Sequence, residues 1–202
     1  YDLARAEKVA NEICGGGKFV PAKIDAKDPA SIKAVAEEHG CDFVMNAVDP
    51  RMNECIFDTC LENKLGYLDC AMTLGKEHPE KPYELAHIKL GDYQFAKQKE
   101  WEASGKMAIC GSGVEPGMSD VFAKYAAKHL FDKIDRIDVR DGDNYGNTDS
   151  DFGFSVWTTI EECLQPPVIW EKTEEHPDGH WYCTEHFSEP EIFNFPGGIG
   201  DV

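Results

Sequence analysis

The sequence predicts an α/β fold, in which a doubly wound parallel sheet is followed by the start of a second α/β domain with a mixed or antiparallel sheet. Two observations carry this prediction. Short apolar strands alternate with amphipathic helices from the first residues to about residue 133, an order typical of a parallel sheet covered on both faces. From Ile134 onward, apolar and charged residues alternate, as in a half-exposed strand. We therefore place the boundary between two domains near residue 133, with the first domain at 1–133 and the second at 134–202.

The elements of the first domain follow from apolar spacing and from end signals. Gly15–Gly17 ends the opening helix. The helix carries its apolar residues on one face: Leu3, Ala6, Val9, Ala10 and Ile13. Asp28 and Pro29 begin a second helix, since proline suits a first helical turn. The predicted strands are Phe19–Ile24, Asp42–Ala47, Leu65–Cys70 and Met107–Cys110. Further helices are predicted at 52–63, at Tyr93–Ser104 and from Met118, with a loop and a short helix at 75–90.

The second domain is predicted to begin with a strand at Ile134–Arg140 and a loop of Gly, Asn and Asp at Asp141–Asp151. A short helix near Trp157–Leu164 follows. The turn signal Pro177-Asp178-Gly179 separates two further strands, Val168–Lys172 and Trp181–Cys183. Ile192–Phe195 is one more candidate strand.

The charge of the chain excludes some classes of partner. The formal net charge is −18, with 38 acidic against 20 basic residues, and Lys and Arg are scattered. Nucleic acids and anionic membranes require a basic surface, so we expect neither as a partner. No apolar run approaches the ~18 residues that a membrane span needs, and the first 20 residues lack a signal-peptide layout.

The cysteines favour a reduced, cytoplasmic protein. There are eight, none of them in a C-x-x-C pair, and a chain of this size does not need disulfides. A candidate metal site is formed by His176, His180, Cys183 and His186, which lie within eleven residues. We expect no metal there, because the spacing is not an established ligand pattern and strand alternation separates His180 from Cys183.

Small or polar residues follow all four predicted strands of the first domain. Ligands of an open parallel sheet bind beyond the carboxyl ends of its strands, so a shared ligand edge is expected. The polar loops that join strands and helices in any fold are the alternative explanation. The candidate residues are Asp25, Asn46 with Ala47, Asp69 with Cys70, and Gly111 with Gly113.

The segment GSGVEPGMSD, Gly111–Asp120, lies between a strand and a helix and holds three glycines and a proline. This composition predicts a close approach to the backbone, because glycine is conformationally costly. The segment is not the G-x-G-x-x-G motif of a dinucleotide site, and Gly15–Gly17 follows a helix. We therefore expect the first strand, its glycine loop and its helix to lie upstream of Tyr1.

Three segments resemble the saccharopine dehydrogenase family: Asp42–Ala47, Asn63–Ala71 and Cys110–Asp120. Trp157–Cys163 and Pro166–Trp170 are similar to the bacterial saccharopine dehydrogenase branch. The resemblance implies a Rossmann-like nucleotide domain, a second domain that carries substrate and the dimer contact, and NAD or NADP as cofactor. It also implies that the chain lacks the upstream glycine loop and the end of the second domain.

The resemblance assigns roles to individual residues. Asp69, Glu115 and Asp120 are candidate catalytic carboxylates that stabilise an iminium. The candidate cofactor-binding residues are Asp2, Asp25, Asn46, Ala47, Asp69, Cys70, Gly111 and Gly113. The candidate substrate-binding residues are Glu115, Pro116, Gly117, Met118 and Ser119. The helix from Met118 is expected to present free N–H groups to a substrate carboxylate, with Ser119 and Asp120 capping its first turn.

The resemblance predicts an oxidoreductase that acts on the C–N bond of an amino-acid-derived amine. Residues 152–170 favour saccharopine and a role in lysine metabolism, with carboxynorspermidine dehydrogenase and lysine 6-dehydrogenase as alternatives. A non-catalytic nucleotide-binding or dimerisation module is a further alternative. For a dicarboxylate substrate, the available cations are Arg51, Arg136, Arg140 and Lys172, although a solvated position is the better interpretation of Arg136 and Arg140.

Overall fold

The structure is a computed structural model that describes residues 2–14, 19–141, 156–188 and 190–201. Its contacts group the chain into two compact units. The first contains residues 1–74 and 90–132, and the second contains residues 75–89 and 133–202. The predicted loops at Gly15–Gly17 and beyond Asp141 lie outside the described residues. Of the helices in the described ranges, none has both the length and the apolar character of a membrane span.

The first unit is an α/β layer structure. Its helices are α1 (Leu3–Cys14), α2 (Pro29–Glu38), α3 (Asn53–Glu62), α4 (Asp92–Ala96), α5 (Gln98–Ser104) and α6 (Met118–His129). Its strands are β1 (Phe43–Asn46), β2 (Gly66–Asp69) and β5 (Ala108–Ile109), and a 3₁₀ turn lies at Pro50–Met52. The second unit contains strands β3 (Lys76–Glu77) and β4 (Ala86–Ile88), described below.

The three strands of the first unit form a parallel sheet in the order β1–β2–β5. Apolar side chains from α2, α3 and α5 pack on β2, and Phe57, Tyr67 and Trp101 form an aromatic cluster there. The rings of Phe57 and Tyr67 meet edge to face, with centroids 5.1 Å apart. The predicted α/β class with a parallel sheet is confirmed.

The predicted strand at Phe19–Ile24 is wrong, because the segment adopts no regular structure. Pro21 has no N–H to give to a ladder. Ile24 packs against the edge of the core, and the N–H of Asp25 donates to Ser31 Oγ over 3.0 Å. The parallel sheet therefore has three strands in the described part of the chain, and Asp25 does not end a fourth.

Two other predictions in the first domain need correction. The single helix predicted at Tyr93–Ser104 is two helices, α4 and α5, because Lys97 leaves helical geometry at φ −94° and ψ 12°. The short helix predicted within 75–90 is absent, and β3 and β4 pair there as an antiparallel ribbon. By its contacts, this segment groups with the second unit.

The second unit also contains α7 (Val156–Leu164), β6 (Val168–Glu171), β7 (His180–Cys183), β8 (Asn194–Phe195) and β9 (Gly200–Asp201). β6 pairs with β7 and β8 with β9, both antiparallel, and Gly179 takes φ +90° in the turn before β7. The predicted strand at Ile134–Arg140 is wrong. Its charges form local ion pairs instead, such as Arg136 Nη2 with Asp138 Oδ1 at 2.7 Å, and no strand in the described residues pairs with it.

Candidate functional site

The candidate site lies at the carboxyl edge of the parallel sheet. β1 and β2 end together, since Asn46 and Asp69 are register partners. β5 runs parallel beside β2 and leads into Gly111. Parallel strands release their following loops on the same edge, so the loops after Asn46, Asp69 and Ile109 lie side by side. Ala47, Val48 and Ser112 are exposed there.

Asp69 lies under this edge rather than on it, with 1% of its surface exposed. Its Oδ2 accepts hydrogen bonds from Tyr67 Oη over 2.8 Å and from Gln94 Nε2 over 2.6 Å. Its Oδ1 accepts from the N–H of Gly111 over 2.7 Å, and its carbonyl oxygen accepts from the N–H of Ser112 over 2.8 Å. The residue therefore holds the start of the glycine loop.

Two buried asparagines continue the network from the far side of Tyr67. Asn46 Nδ2 donates to Tyr67 Oη over 3.1 Å and to Asn53 Oδ1 over 2.7 Å. Asn46 Oδ1 accepts from the N–H of Val48 over 3.2 Å, and Asn53 Nδ2 donates to the carbonyl oxygen of Ala71. The asparagines thus tie the loop after β1 to the loop after β2.

Burial changes the proton affinity of groups around this network. It raises the pKa of the Tyr67 hydroxyl, and the neighbouring Asp69 raises it further, while the hydrogen bond from Asn46 lowers it by less than burial raises it. Burial, followed by the charge of Asp69, raises the pKa of the Cys110 thiol to about 12. Both groups therefore stay protonated at neutral pH, and Cys110 is not a thiolate nucleophile there.

The glycine loop is packed against its own backbone. A Cβ at Gly113 would lie 2.4 Å from the carbonyl oxygen of Cys70, and a Cβ at Gly117 would lie 2.5 Å from that of Gly113. Gly117 has φ +131°, and the Glu115–Pro116 peptide is cis. The N–H of Gly113 donates to the carbonyl of Pro116 over 3.0 Å. The close approach that the sequence predicts here is made by the chain itself.

The start of α6 does not present all the free donors that the sequence predicts. The N–H of Met118 donates to the carbonyl of Gly113 over 3.0 Å, and the N–H of Ser119 to that of Val114 over 3.2 Å. This expectation is wrong for both groups, because the loop folds back over the helix start. Asp120 Oδ2 accepts from the N–H of Gly117 over 3.1 Å, so Asp120 caps the turn as expected.

The remaining candidate residues are spread more widely. Glu115 is exposed in the loop and Pro116 is half-buried beside it, while Cys70 is half-buried at the end of β2. Asp2 accepts from the N–H of Arg5 and caps α1. Asp25 accepts from the N–H of Lys27 and turns the chain toward α2. Neither of these hydrogen bonds joins Asp2 or Asp25 to the network around Asp69.

The candidate cations are engaged locally. Arg51 forms a two-bond pair with Asp49, which lowers the pKa of Asp49 to about 2. Arg140 pairs with Glu191 and lies 5.0 Å from the centre of the Phe193 ring. Lys172 Nζ lies over the ring of Trp170 at 5.7 Å. Among the residues that the structure describes, no cluster of three His, Cys, Asp or Glu side chains has a metal-binding arrangement.

Three residues of the network were missed in the sequence: Asn53, Tyr67 and Gln94. Each had a signal, because each is polar at a position in phase with apolar core residues. Asn53 precedes Ile56, Phe57 and Cys60 by three, four and seven residues along α3. Gln94 precedes the buried Trp101 by seven residues, and Tyr67 shares a strand face with Asp69.

Comparison with known proteins gives a family match and several similar relatives. The profile of the saccharopine dehydrogenase NADP binding domain matches residues 1–109. Carboxyaminopropylagmatine dehydrogenase of Synechocystis sp. is 31% identical over 199 residues, which is 98% of the chain and 46% of that protein. Carboxynorspermidine synthase of Vibrio alginolyticus is 34% identical over 183 residues, which is 89% of the chain and 41% of that protein.

The carboxynorspermidine synthase of Vibrio cholerae is 31% identical over 208 residues, with 96% of the chain and 46% of that protein covered. The chain therefore spans less than half the length of these curated relatives.

Proposed function

The chain belongs to the saccharopine dehydrogenase family, and from this premise we propose that the complete protein is an NADP-dependent oxidoreductase acting on a C–N bond. The observation that carries the proposal is the match of residues 1–109 to an NADP binding domain. It is supported by a parallel sheet whose three strand-end loops share one edge. The sequence alone left NAD and NADP open, and the matched domain is the NADP binding domain of the family.

The proposed substrate is a carboxylated polyamine rather than saccharopine. The relatives are named for carboxynorspermidine and carboxyaminopropylagmatine, and they align with nine tenths or so of the chain at 31% to 34% identity. The pattern in residues 152–170 favoured saccharopine and lysine metabolism. The relatives support the alternative better, so we place the reaction among polyamine conversions.

The residues at the strand edge fit a dinucleotide. Ala47 and Ser112 are exposed at this edge, Cys70 and Gly113 are half-buried, and Gly111 is buried beside them. The buried hydrogen bonds beneath it keep the backbone in place. We propose that Ala47, Cys70, Gly111 and Gly113 contact the cofactor. Contacts from Asp2 and Asp25 stay predictions.

Glu115 is the proposed carboxylate next to the substrate. When bound at this edge, NADP would supply a hydride acceptor for the carbon of the C–N bond, and a nearby carboxylate would stabilise the positive charge of the iminium that results. Asp69 is buried and holds three hydrogen bonds, and Asp120 is occupied by the N–H of Gly117. Glu115 is exposed in the same loop. Because the N–H groups of Met118 and Ser119 donate to carbonyls of the loop, these two residues would contact the substrate through their side chains.

Absorbance of reduced nicotinamide, followed with the complete protein, tests the proposal. Carboxynorspermidine, carboxyaminopropylagmatine, saccharopine and lysine are compared, each with NAD and with NADP. We expect NADPH to form with a carboxylated polyamine. If only saccharopine or lysine is turned over, that amine is the substrate and the proposed polyamine substrate is wrong. If no amine is turned over with either cofactor while NADPH still binds, the result would favour a non-catalytic nucleotide-binding module.

A homodimer is proposed for the complete protein, on family resemblance alone. Light scattering coupled to gel filtration measures its mass directly. A monomer at micromolar concentration would contradict the proposal.

A further inference from the structure

One buried hydrogen-bond network joins the three loops at the carboxyl edge of the sheet. Five side chains form it, all at most 4% exposed: Asn46, Asn53, Tyr67, Asp69 and Gln94. We call this set the edge network. Its backbone contacts fall on every loop of the edge, at Val48 after β1, at Ala71 and Thr73 after β2, and at Gly111 after β5. The positions of the three loops are therefore coupled.

Within the edge network, the side chain of Asp69 only accepts hydrogen bonds. Three donors converge on the carboxylate of Asp69: the Tyr67 hydroxyl, the Gln94 amide and the Gly111 N–H. The Gln94 amide cannot turn round, because its Oε1 accepts from the N–H of Thr73 over 2.9 Å. The residue at position 69 must therefore accept with both of its side-chain oxygens, which only a carboxylate does.

Asp69 lies too deep to touch a ligand at the edge, with 1% of its surface exposed. We infer that Asp69 is a positioning residue, whose carboxylate sets the relative positions of the loops that carry NADP. The inference rests on the proposed function for the identity of the ligand. It replaces the catalytic role that the sequence predicted for Asp69 with an indirect role through Gly111, Thr73 and Val48.

Asp69→Asn is the most direct variant, because it conserves shape and removes one acceptor. In either orientation of the new amide, its NH₂ group faces a donor: Gly111 N–H on one side, or the Tyr67 hydroxyl and the Gln94 amide on the other. Buried donors left without a partner are costly, so the loops must shift to recover hydrogen bonds. We expect NADPH affinity to fall by about tenfold or more, since small displacements at a site have effects of this order.

Asp58→Asn is the matched control. Asp58 also accepts from a tyrosine hydroxyl, that of Tyr93, over 2.5 Å, and it pairs with Lys97. It lies on α3 and contacts none of the loops through these bonds. We expect Asp58→Asn to lower the melting temperature while NADPH affinity stays within about twofold of wild type, because the edge network is intact.

Two measurements on the complete protein test the inference: NADPH affinity by fluorescence titration, and amide hydrogen exchange without ligand. In Asp69→Asn we expect faster exchange at the amides of Val48, Thr73, Gly111 and Ser112. In Asp58→Asn these four amides should exchange as in wild type. Wild-type affinity and wild-type exchange in a folded Asp69→Asn protein would overturn the inference. Equal loss of affinity in both variants would also overturn it.

Tyr67→Phe provides the test if Asp69→Asn does not fold. It removes one donor to Asp69 and one acceptor for Asn46, and it keeps the ring that packs on Phe57. We expect a smaller loss of NADPH affinity and faster exchange at Val48 and Gly111. Wild-type values for both would overturn the inference.

The exchange measurement separates the inference from the proposed function. If the wild-type protein binds NADPH but oxidises none of the amines, the proposed reaction fails while the positioning role is still decided. If the wild-type protein does not bind NADPH, the exchange rates of the same four amides in Asp69→Asn and Asp58→Asn still decide whether Asp69 positions the loops.

Discussion

At the scale of single residues, the glycines of the loop are required by the neighbouring backbone. Gly113 lies against the carbonyl of Cys70, and Gly117 lies against the carbonyls of Gly111 and Gly113. A side chain at either position would meet backbone atoms, which cannot rotate away. The loop after β5 is therefore fitted to the loop after β2 before any ligand is considered.

Gly113→Ala should destabilise the protein by about 1–3 kcal/mol, the usual cost of overpacking. NADP-dependent turnover should fall as well, because the Cys70 loop must move. Urea unfolding and steady-state rates measure the two effects. Gly40→Ala is the control: Gly40 has φ +62° and open space around a Cβ, so it should lose about 1–2 kcal/mol from backbone strain alone and keep its turnover. Unchanged stability in Gly113→Ala would contradict the packing.

Glu115→Gln should lower kcat by about 100-fold, if the exposed carboxylate stabilises charge on the substrate. The affinity for NADPH should stay close to wild type, because the loop backbone is unchanged. Steady-state rates and a nucleotide titration separate these effects. A Glu115→Gln enzyme with wild-type kcat would remove Glu115 from the proposed chemistry.

Asp120→Asn and Asp120→Ala together distinguish a cap from a catalytic group. Asparagine keeps an oxygen for the N–H of Gly117, whereas alanine removes it. We expect wild-type kcat for Asp120→Asn and a loss of about 1 kcal/mol of stability for Asp120→Ala. A strong fall of kcat in Asp120→Asn, with stability unchanged, would instead support the catalytic role.

Sequence order predicted three of the four strand ends, since Asp25 ends no strand, but it did not predict which of the strand-end side chains are buried. Asn46, Asp69 and Gly111 lie where the alternation of elements predicts them. The burial of Asp69 depends on Gln94, which is 25 residues away along the chain. Such a contact is set by how α4 packs on the sheet, and the helical pattern from Tyr93 to Ser104 gave no sign of the break at Lys97.

At the scale of elements, the helices were predicted better than the strands. α2, α3 and α6 lie close to their predicted bounds, because caps and apolar stripes are local signals. Phe19–Ile24 and Ile134–Arg140 have strand-like patterns but no paired strand in the described residues. A strand is stabilised by its neighbour, and pairing is not a local property.

Asp28→Ala tests the local signal at the start of α2. Asp28 accepts from the N–H of Ala30 over 2.9 Å, and the helix buries Ile32 and Ala36 in the core. We expect a loss of about 1 kcal/mol in the free energy of unfolding, with turnover unchanged. Asp28→Asn should recover most of the stability. Equal stability of the alanine variant and wild type in urea would contradict the capping role.

At the scale of the whole molecule, the core of the first unit contains a buried thiol. Cys60 is completely buried, and burial raises its pKa from 9.0 to about 12. A group whose pKa is raised on folding stabilises the fold fully below its unfolded pKa and loses this effect as the pH rises through its folded pKa. The stability of the protein should therefore fall between pH 9 and pH 12.

Cys60→Ala isolates the contribution of this thiol. The free energy of unfolding of wild type should fall more steeply between pH 9.5 and 10.5 than that of Cys60→Ala, by about 1 kcal/mol per pH unit. The loss of packing in Cys60→Ala lowers the free energy of unfolding equally at every pH, so it does not affect the comparison of slopes. Parallel slopes in urea titrations would show that the thiol ionises normally in the folded protein.

The edge network also determines how this scaffold can change by mutation. Because Asn46, Asn53, Tyr67, Asp69 and Gln94 satisfy one another, a substitution at one of them should cost less when it is matched by a substitution at its partner. Across homologous sequences, positions 67, 69 and 94 should therefore covary. Laboratory evolution of a new cofactor preference should succeed at the exposed positions 47 and 112, while libraries that vary position 69 alone should yield clones with weakened NADPH binding.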